Sequence, residues 1–282
     1  MEVFCDLREL CLELSISGEL SEKQIKKLMI AEVEYKNNSQ KFVLAPLGEV
    51  YFPNVKMGKI ESSHLLQKDE IVIFALYFAL AKKGVNGMSL DLGANLGLHS
   101  LILSKLGFSV IAVEPDPIHL KILSEVLTLN KVNNVEVVAA AVTPGGEPAQ
   151  FIRIINNTTS SHVKGSVGKS PYGPTTEFQV QGMSLKNTLD SNNISLVKMD
   201  IEGMELEIIN TLENRHFLET DFIIEIGSPV ARSGIWKYLG TIPEVNVFVQ
   251  KNRWNKAHLE DDLPNSYKEG MIFVSRKKEI PW

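Results

Sequence analysis

Cysteine is scarce: Cys5 and Cys11 are the two thiols in 282 residues. Two cannot build a disulfide framework, and on an expected N-terminal helix they are poorly placed for one bridge, so a reducing compartment fits best. Long apolar runs are missing as well. The longest, Ile71–Ala81, falls short of the roughly 20 residues a bilayer crossing needs and reads as a buried helix. The N-terminus, MEVFCDLRELCLEL, has no basic stretch ahead of an apolar core, so no secretory leader is expected. Asn156-Asn-Thr-Thr159 then reads as polar loop rather than a glycosylation site. Positive charge is not in excess, since 29 Lys+Arg face 34 Asp+Glu for a net charge of −5. That balance argues against a broad grip on nucleic-acid phosphates. His64, His216 and His258 lack the spacing partners of a zinc site. The expectation is a cytoplasmic protein with no membrane span and no nucleic-acid partner.

What is present has an alternating rhythm. Leu7, Leu10 and Leu14, then Ile25, Leu28 and Met29, recur at helical spacing from Asp6 to about Tyr35, with a break near Gly18. Two β-like pieces, Lys41–Ala45 and Glu49–Phe52, flank Pro46-Leu47-Gly48 as a hairpin. Residues 1–58 are read as an N-terminal helical and hairpin appendage, and residues 59–282 as the main domain. There a long helix, Ser63–Lys82, precedes strand Met88–Leu92, helix Leu98–Leu106, strand Ser109–Val113, helix Pro117–Asn130 and a strand from Val135 to Ala140. This order predicts βαβ units and a doubly wound, mostly parallel sheet. Two β-like pieces, Ala149–Ile154 and Glu177–Gln181, interrupt the rhythm around a polar loop. It resumes with a helix near Ser184, strand Ser195–Met199, helix Glu205–Leu212 and strand Asp221–Ile226. Val245–Val249 and Met271–Val274 suit an antiparallel pair finishing the sheet.

Three strand ends carry chemistry. Asp91-Leu-Gly93-Ala94-Asn95-Leu-Gly97 closes one strand and opens a helix, where open α/β sheets bind ligands. A dinucleotide fingerprint would read G-x-G-x-x-G. Here the spacing is G-x-x-x-G after a carboxylate, which would repel a diphosphate and attract an ammonium. Glu114-Pro115-Asp116 ends the next strand, where an acid can accept ribose hydroxyls. Small residues at Ala139–Val142, Ala141 among them, leave room for an adenine. The third end is Lys198-Met-Asp200-Ile-Glu202-Gly-Met-Glu205, with Asp200 closing its strand and Glu205 suited to a helix start.

In this order the three segments resemble the FkbM-type methyltransferases, over about Glu70 to Ile226, with Ser160-Ser161 and Val180–Leu189 also fitting. The resemblance implies a Rossmann-like class I methyltransferase sheet with an antiparallel C-terminal edge, binding S-adenosylmethionine. It implies cofactor contacts at Asp91, Gly93, Ala94, Asn95, Gly97, Glu114, Pro115, Ala141 and Asp200, and catalytic work near Asp200 and Glu202. The implied reaction is methyl transfer to a hydroxyl of a sugar, glycan or small natural product. An alcohol acceptor must lose a proton; the candidate bases are Asp200 and Glu202, then His99, with Glu225 a further rim carboxylate. Asp200, Glu202 and Glu225 are oxygen ligands of the kind Mg²⁺ accepts, but no metal is assigned. The alternatives are a methyltransferase acting on protein or nucleic acid and a non-catalytic assembly protein. Acceptor choice is expected from residues 1–58, from Asn156–Thr176 and from Ser228–Trp236. Trp236, Tyr238 and Trp254 are candidates for stacking on a ring. A homo-oligomer is compatible with the sequence.

Overall fold

The computed structural model describes residues 5–24, 34–36, 39–168 and 173–282. Asp6, in the short strand β1 (Cys5–Asp6), accepts the Arg8 backbone N–H and caps α1 (Leu7–Ser17), which Gly18 ends in the left-handed conformation. Cys5 therefore lies in a strand rather than on the helix expected for it, and the two cysteines form no disulfide. Ile25, Leu28 and Met29, expected to continue the helical pattern, lie outside the described residues. Next come β2 (Glu34–Lys36), β3 (Ser39–Ala45) and β4 (Gly48–Pro53), with β3 and β4 forming the expected antiparallel hairpin. After β5 (Lys56–Met57) and β6 (Ile60–Glu61), the helix expected from Ser63 is divided. A 3₁₀ turn spans Ser62–Leu66, Gln67 is extended, and α2 runs Lys68–Lys82.

Helix α2 is apolar all round, and Ile71 to Leu80 are all buried. Such a helix needs cover on every side. α1 and the β3–β4 hairpin supply it on the side away from the main sheet, in one continuous core that includes Leu7, Leu10, Leu14, Phe42 and Phe52. Cys11 sits in this seam with its Sγ 3.2 Å from the Ala75 carbonyl, and burial pushes its thiol up to about 12.

The main sheet begins with β7 (Met88–Leu92), α3 (Leu98–Lys105), β8 (Ser109–Val113), α4 (Pro117–Leu129) and β9 (Val135–Val138). The strand expected to run on to Ala140 stops at Val138. β10 (Ala140–Val142) turns away and joins β11 (Ala149–Ile154), β12 (His162–Val163) and β13 (Thr175–Met183) in a separate sheet of order β10-β13-β11-β12. Ser184 then caps α5 (Leu185–Ser191), ahead of β14 (Ile194–Met199), α6 (Glu205–Ile209), α7 (Asn214–Glu219) and β15 (Asp221–Glu225). The helix expected over Glu205–Leu212 thus ends early. α8 (Pro229–Leu239), β16 (Asn246–Val249), β17 (Asn255–Lys256) and β18 (Met271–Ser275) complete the chain. The eight-stranded order is β17-β16-β18-β15-β14-β7-β8-β9, parallel from β15 to β9 and antiparallel at the C-terminal edge.

Strand alternation sets the polarity of the two central strands. Leu90, Leu92, Val197 and Met199 join the core under α5 to α8. Asp91 and Lys198 are register partners on β7 and β14 and face the other way, toward α2. Among the described residues no helix is long and apolar enough to cross a membrane.

Candidate active site

The C-terminal ends of β7, β8, β14 and β15 open onto a cavity of about 340 Å³, the place where open α/β sheets hold ligands. The turn after β7 is built by positive φ angles at Gly93 (76°), Asn95 (52°) and Gly97 (83°). At Gly93 only glycine fits, because a Cβ there would stand 1.8 Å from the Asp200 carbonyl oxygen. Asn95 lines the cavity, and its Oδ1 is buried with no hydrogen-bond partner. That acceptor fits a ligand amine or hydroxyl. Ala94 and Gly97 stand behind the wall: Ala94 is buried, and a Cβ on Gly97 would meet the Leu123 side chain at 2.8 Å.

Glu114 holds one end of the cavity. Its carboxylate accepts the Asn95 N–H at 2.8 Å and the Asp116 N–H at 2.9 Å, and His119 Nδ1 lies 3.4 Å away. The acid at the end of β8 thus fixes the backbone of the β7 turn. Pro115, Ala140 and Ala141 line the same end. Asp116 turns away from the cavity, caps α4 and receives Arg153 of β11 through two hydrogen bonds of 2.5 and 2.6 Å. Burial alone would raise its pKa, but the Arg153 guanidinium holds it below the usual aspartate range. Neither His119 nor Arg153 carried a signal in the sequence, because each reaches Glu114 or Asp116 only through the fold.

Asp91 is not on the cavity wall. It is fully buried behind the Gly93 turn, where Ser100 Oγ donates to it at 2.6 Å and Lys198 Nζ lies 3.7 Å from its other oxygen. Lys198 also approaches Asp200 at 3.3 Å and the Gly93 carbonyl at 3.4 Å. Burial works against the ammonium, yet the carboxylates of Asp200, Asp91 and Glu70 outweigh it and hold its pKa above that of a free lysine. Burial likewise works against the Asp200 carboxylate, but the Lys198 ammonium beside it keeps it below the usual range.

Asp200, Glu202, Glu225 and Glu70 line the other end of the cavity. Asp200, Glu202 and Glu225 each bring an oxygen within 4.8 Å of the others, a set a cation could meet. Glu205 serves the backbone instead. Its buried carboxylate accepts the Ile201 and Gly203 N–H groups and shapes the turn that carries Glu202, at φ 57°. His99 bonds Tyr77 and Glu70 rather than facing the opening. From the central loop, Thr158, Ser161 and Val163 reach the wall, whereas Trp236, Tyr238 and Trp254 do not. Trp254 is buried against Trp282, and Tyr238 donates to the Leu212 carbonyl while packing on Phe217. The aromatic at the opening is Tyr267, 58% exposed, which nothing in the sequence marked.

No curated protein matches the sequence. Similar solved structures include a precorrin-6y C5,15-methyltransferase from Geobacter metallireducens GS-15, at 14% identity and TM-score 0.41 over 79% of this chain and 91% of that one. Others are a ribosomal protein L11 methylase from Lactobacillus delbrueckii subsp. bulgaricus (14%, 0.39, 72% and 77%) and an S-adenosylmethionine-dependent methyltransferase from Agrobacterium tumefaciens (9%, 0.42, 86% and 72%). The model of the Methyltransferase FkbM domain family matches residues 91–252, from the Asp91 turn through both glutamates of the β14 and β15 ends. That span is more than half of the 282 residues, and the chain belongs to the FkbM family of S-adenosylmethionine-dependent methyltransferases.

Proposed function

We propose that the protein transfers a methyl group from S-adenosylmethionine to a hydroxyl of a sugar, glycan or small natural product, in the cytoplasm. The observation that carries this reading is the division of one cavity into an end organised by Glu114 and Asn95 and an end lined by four carboxylates. In this reading Glu114 accepts ribose hydroxyls, Asn95 Oδ1 takes the methionine amine or a hydroxyl, and Ala140 and Ala141 face the adenine. Gly93, Ala94, Gly97 and Pro115 give these contacts their shape. Asp91 acts from behind, through Lys198 and the Gly93 turn. When bound, S-adenosylmethionine supplies an electrophilic methyl on a sulfonium, and the displacement needs the acceptor oxygen in line behind it. Asp200, kept anionic by Lys198, and Glu202 are placed to hold acceptor hydroxyls in that line.

The charge of the acceptor end separates this reading from nucleic-acid methylation. Glu70, Asp200, Glu202 and Glu225 meet one buried ammonium, Lys198, so the site is net negative. A phosphodiester would be repelled there, and a neutral polyol would not. Calorimetric titration with S-adenosylhomocysteine, beside Glu114→Ala and beside NAD, tests the cofactor half. Saturable binding that the variant loses and NAD lacks is expected; tight NAD binding would sink the reading. The acceptor half is tested by methyl transfer from labelled cofactor to neutral sugars, uronic acids and oligonucleotides, with the neutral sugars expected to be labelled first.

A further inference from the structure

Among the acceptor-end carboxylates Glu70 stands apart, because it comes from the first turn of α2 rather than from a strand end. Its Oε2 lies 2.9 Å from His99 Nε2, and His99 Nδ1 lies 2.9 Å from the Tyr77 hydroxyl. Tyr77 is fully buried; burial foremost, then the Asp91, Glu70 and Asp200 carboxylates, push its phenol well above its ordinary pKa, so it keeps its proton. A carboxylate only accepts hydrogen bonds, so His99 Nε2 carries the hydrogen that points at Glu70. The Tyr77 hydroxyl meets the other ring nitrogen, Nδ1, and holds the ring from behind. One ring orientation satisfies all three groups. Edge-on packing by Phe74 and Tyr77, with centroids 5.2 and 5.8 Å from the imidazole, holds the ring plane.

A general base must keep an affinity for protons, and Asp200 is ill suited because Lys198 favours its charged form. Glu70 makes no such hydrogen bond to the ammonium: it accepts from the His99 imidazole, and its side chain is 31% exposed along the cavity. The charged groups that share its end of the cavity are Asp200, Glu202 and Glu225, with Lys198 and Asp91 behind the wall. We propose that Glu70 takes the proton of the acceptor hydroxyl, and that His99, held from behind by Tyr77, is the positioning residue that aims Glu70 into the cavity. This rests on the methyl-transfer reading above. The acceptor O–H bond breaks as the new O–CH₃ bond forms, and the proton goes to Glu70. The electron pair of the broken C–S bond stays on sulfur, which becomes the neutral thioether of S-adenosylhomocysteine.

The test uses the full chain and needs no acceptor. Sinefungin carries an ammonium-bearing carbon where S-adenosylmethionine has its sulfonium methyl, so it reports a carboxylate facing the transferred group. Calorimetry at neutral pH should show wild-type protein binding sinefungin about tenfold tighter than S-adenosylhomocysteine. Glu70→Gln should erase that preference while leaving S-adenosylhomocysteine affinity within about twofold. Glu70→Asp, which keeps the charge and shortens the arm, should retain part of it. Asp200→Asn should reduce the preference less than Glu70→Gln does. Imidazole ¹⁵N resonances should show His99 protonated on Nε2, and Tyr77→Phe should shift Nδ1 and weaken the preference. A preference untouched by Glu70→Gln, or one that disappears with Asp200→Asn alone, overturns the assignment. So does a wild type without any preference. Failure of S-adenosylhomocysteine to bind wild-type protein would instead strike the function reading itself.

Discussion

The two ends of the cavity are organised differently. At the Glu114 end, the Glu114 carboxylate holds two backbone N–H groups, Asp116 caps α4 and Arg153 clamps Asp116 from the neighbouring sheet. Charge there is matched and the geometry is set before any ligand arrives. At the Asp200 end four acidic side chains line one space, and their counter-charge, Lys198, lies behind the wall. Like charges crowded together cost stability in the resting protein. On the methyl-transfer reading proposed above, the first end would hold the cofactor and the second, with more carboxylates than cations, would face the acceptor. Polar groups that bind are satisfied early; polar groups that react are left with something to gain.

Changes that break this contrast can be ranked. Gly93→Ala should do most harm, because its Cβ would strike the Asp200 carbonyl and the residue must hold a positive φ. A loss on the order of 3–5 kcal/mol is expected from strain and backbone displacement together, read as a lowered midpoint in urea, with both ends of the cavity impaired. Arg153→Met should cost about 3 kcal/mol by stranding buried Asp116. The pH dependence gives the sign: the pKa of Asp116 is held below its ordinary 3.8, so its contribution is full above that value and fades as pH falls through the lower folded pKa. The gap between wild type and variant in urea unfolding should therefore be widest near neutrality and close in strong acid. Glu114→Gln should weaken S-adenosylhomocysteine at least tenfold, about 1.4 kcal/mol, with a smaller change in stability. Asp200→Asn sharpens the comparison, since it belongs to the reacting end. It should change S-adenosylhomocysteine affinity less than threefold while the pKa of Lys198 falls, a shift visible in the ¹⁵N resonance of its ammonium. The smallest effect concerns Cys11. With its thiol pushed up to about 12 it should react with iodoacetamide at pH 8 far more slowly than a free thiol, by mass spectrometry.

The sequence made the strand-end chemistry legible where local rules dominate. Glycines that must take positive φ, an acid at the end of β8 and the alternation of strands and helices all leave marks in a single chain. The Asp91 placement shows the limit. Its position at the end of a strand suggested a ligand contact, but the β7–β14 register sets it opposite Lys198 and buries it. The continuation of β9 was misread for a similar reason, because alanines at 139–141 suit a strand and only pairing with β13 shows that it belongs to another sheet. Glu70, Arg153 and Tyr267 were silent because nothing nearby in sequence resembles a site, and His119 because a helix residue three positions past Asp116 shows no partner until the fold sets it beside Glu114. Their roles arise from a helix, a hairpin and a loop arriving at one cavity. The all-round apolar character of α2 was visible, whereas its consequence was not: it needs α1 and the β3–β4 hairpin as a lid.

The approach of Gly93 to the Asp200 carbonyl fastens the turn of one strand to the end of the next without side chains between them. On the reading proposed above, the spacing between the Gly93 turn and the Asp200 end is gauged by main-chain atoms alone, like the fixed jaw of a caliper. The side chains that line the opening from the 3₁₀ turn, His64 and Leu65, and from the central loop, Thr158 and Thr159, take no part in that contact.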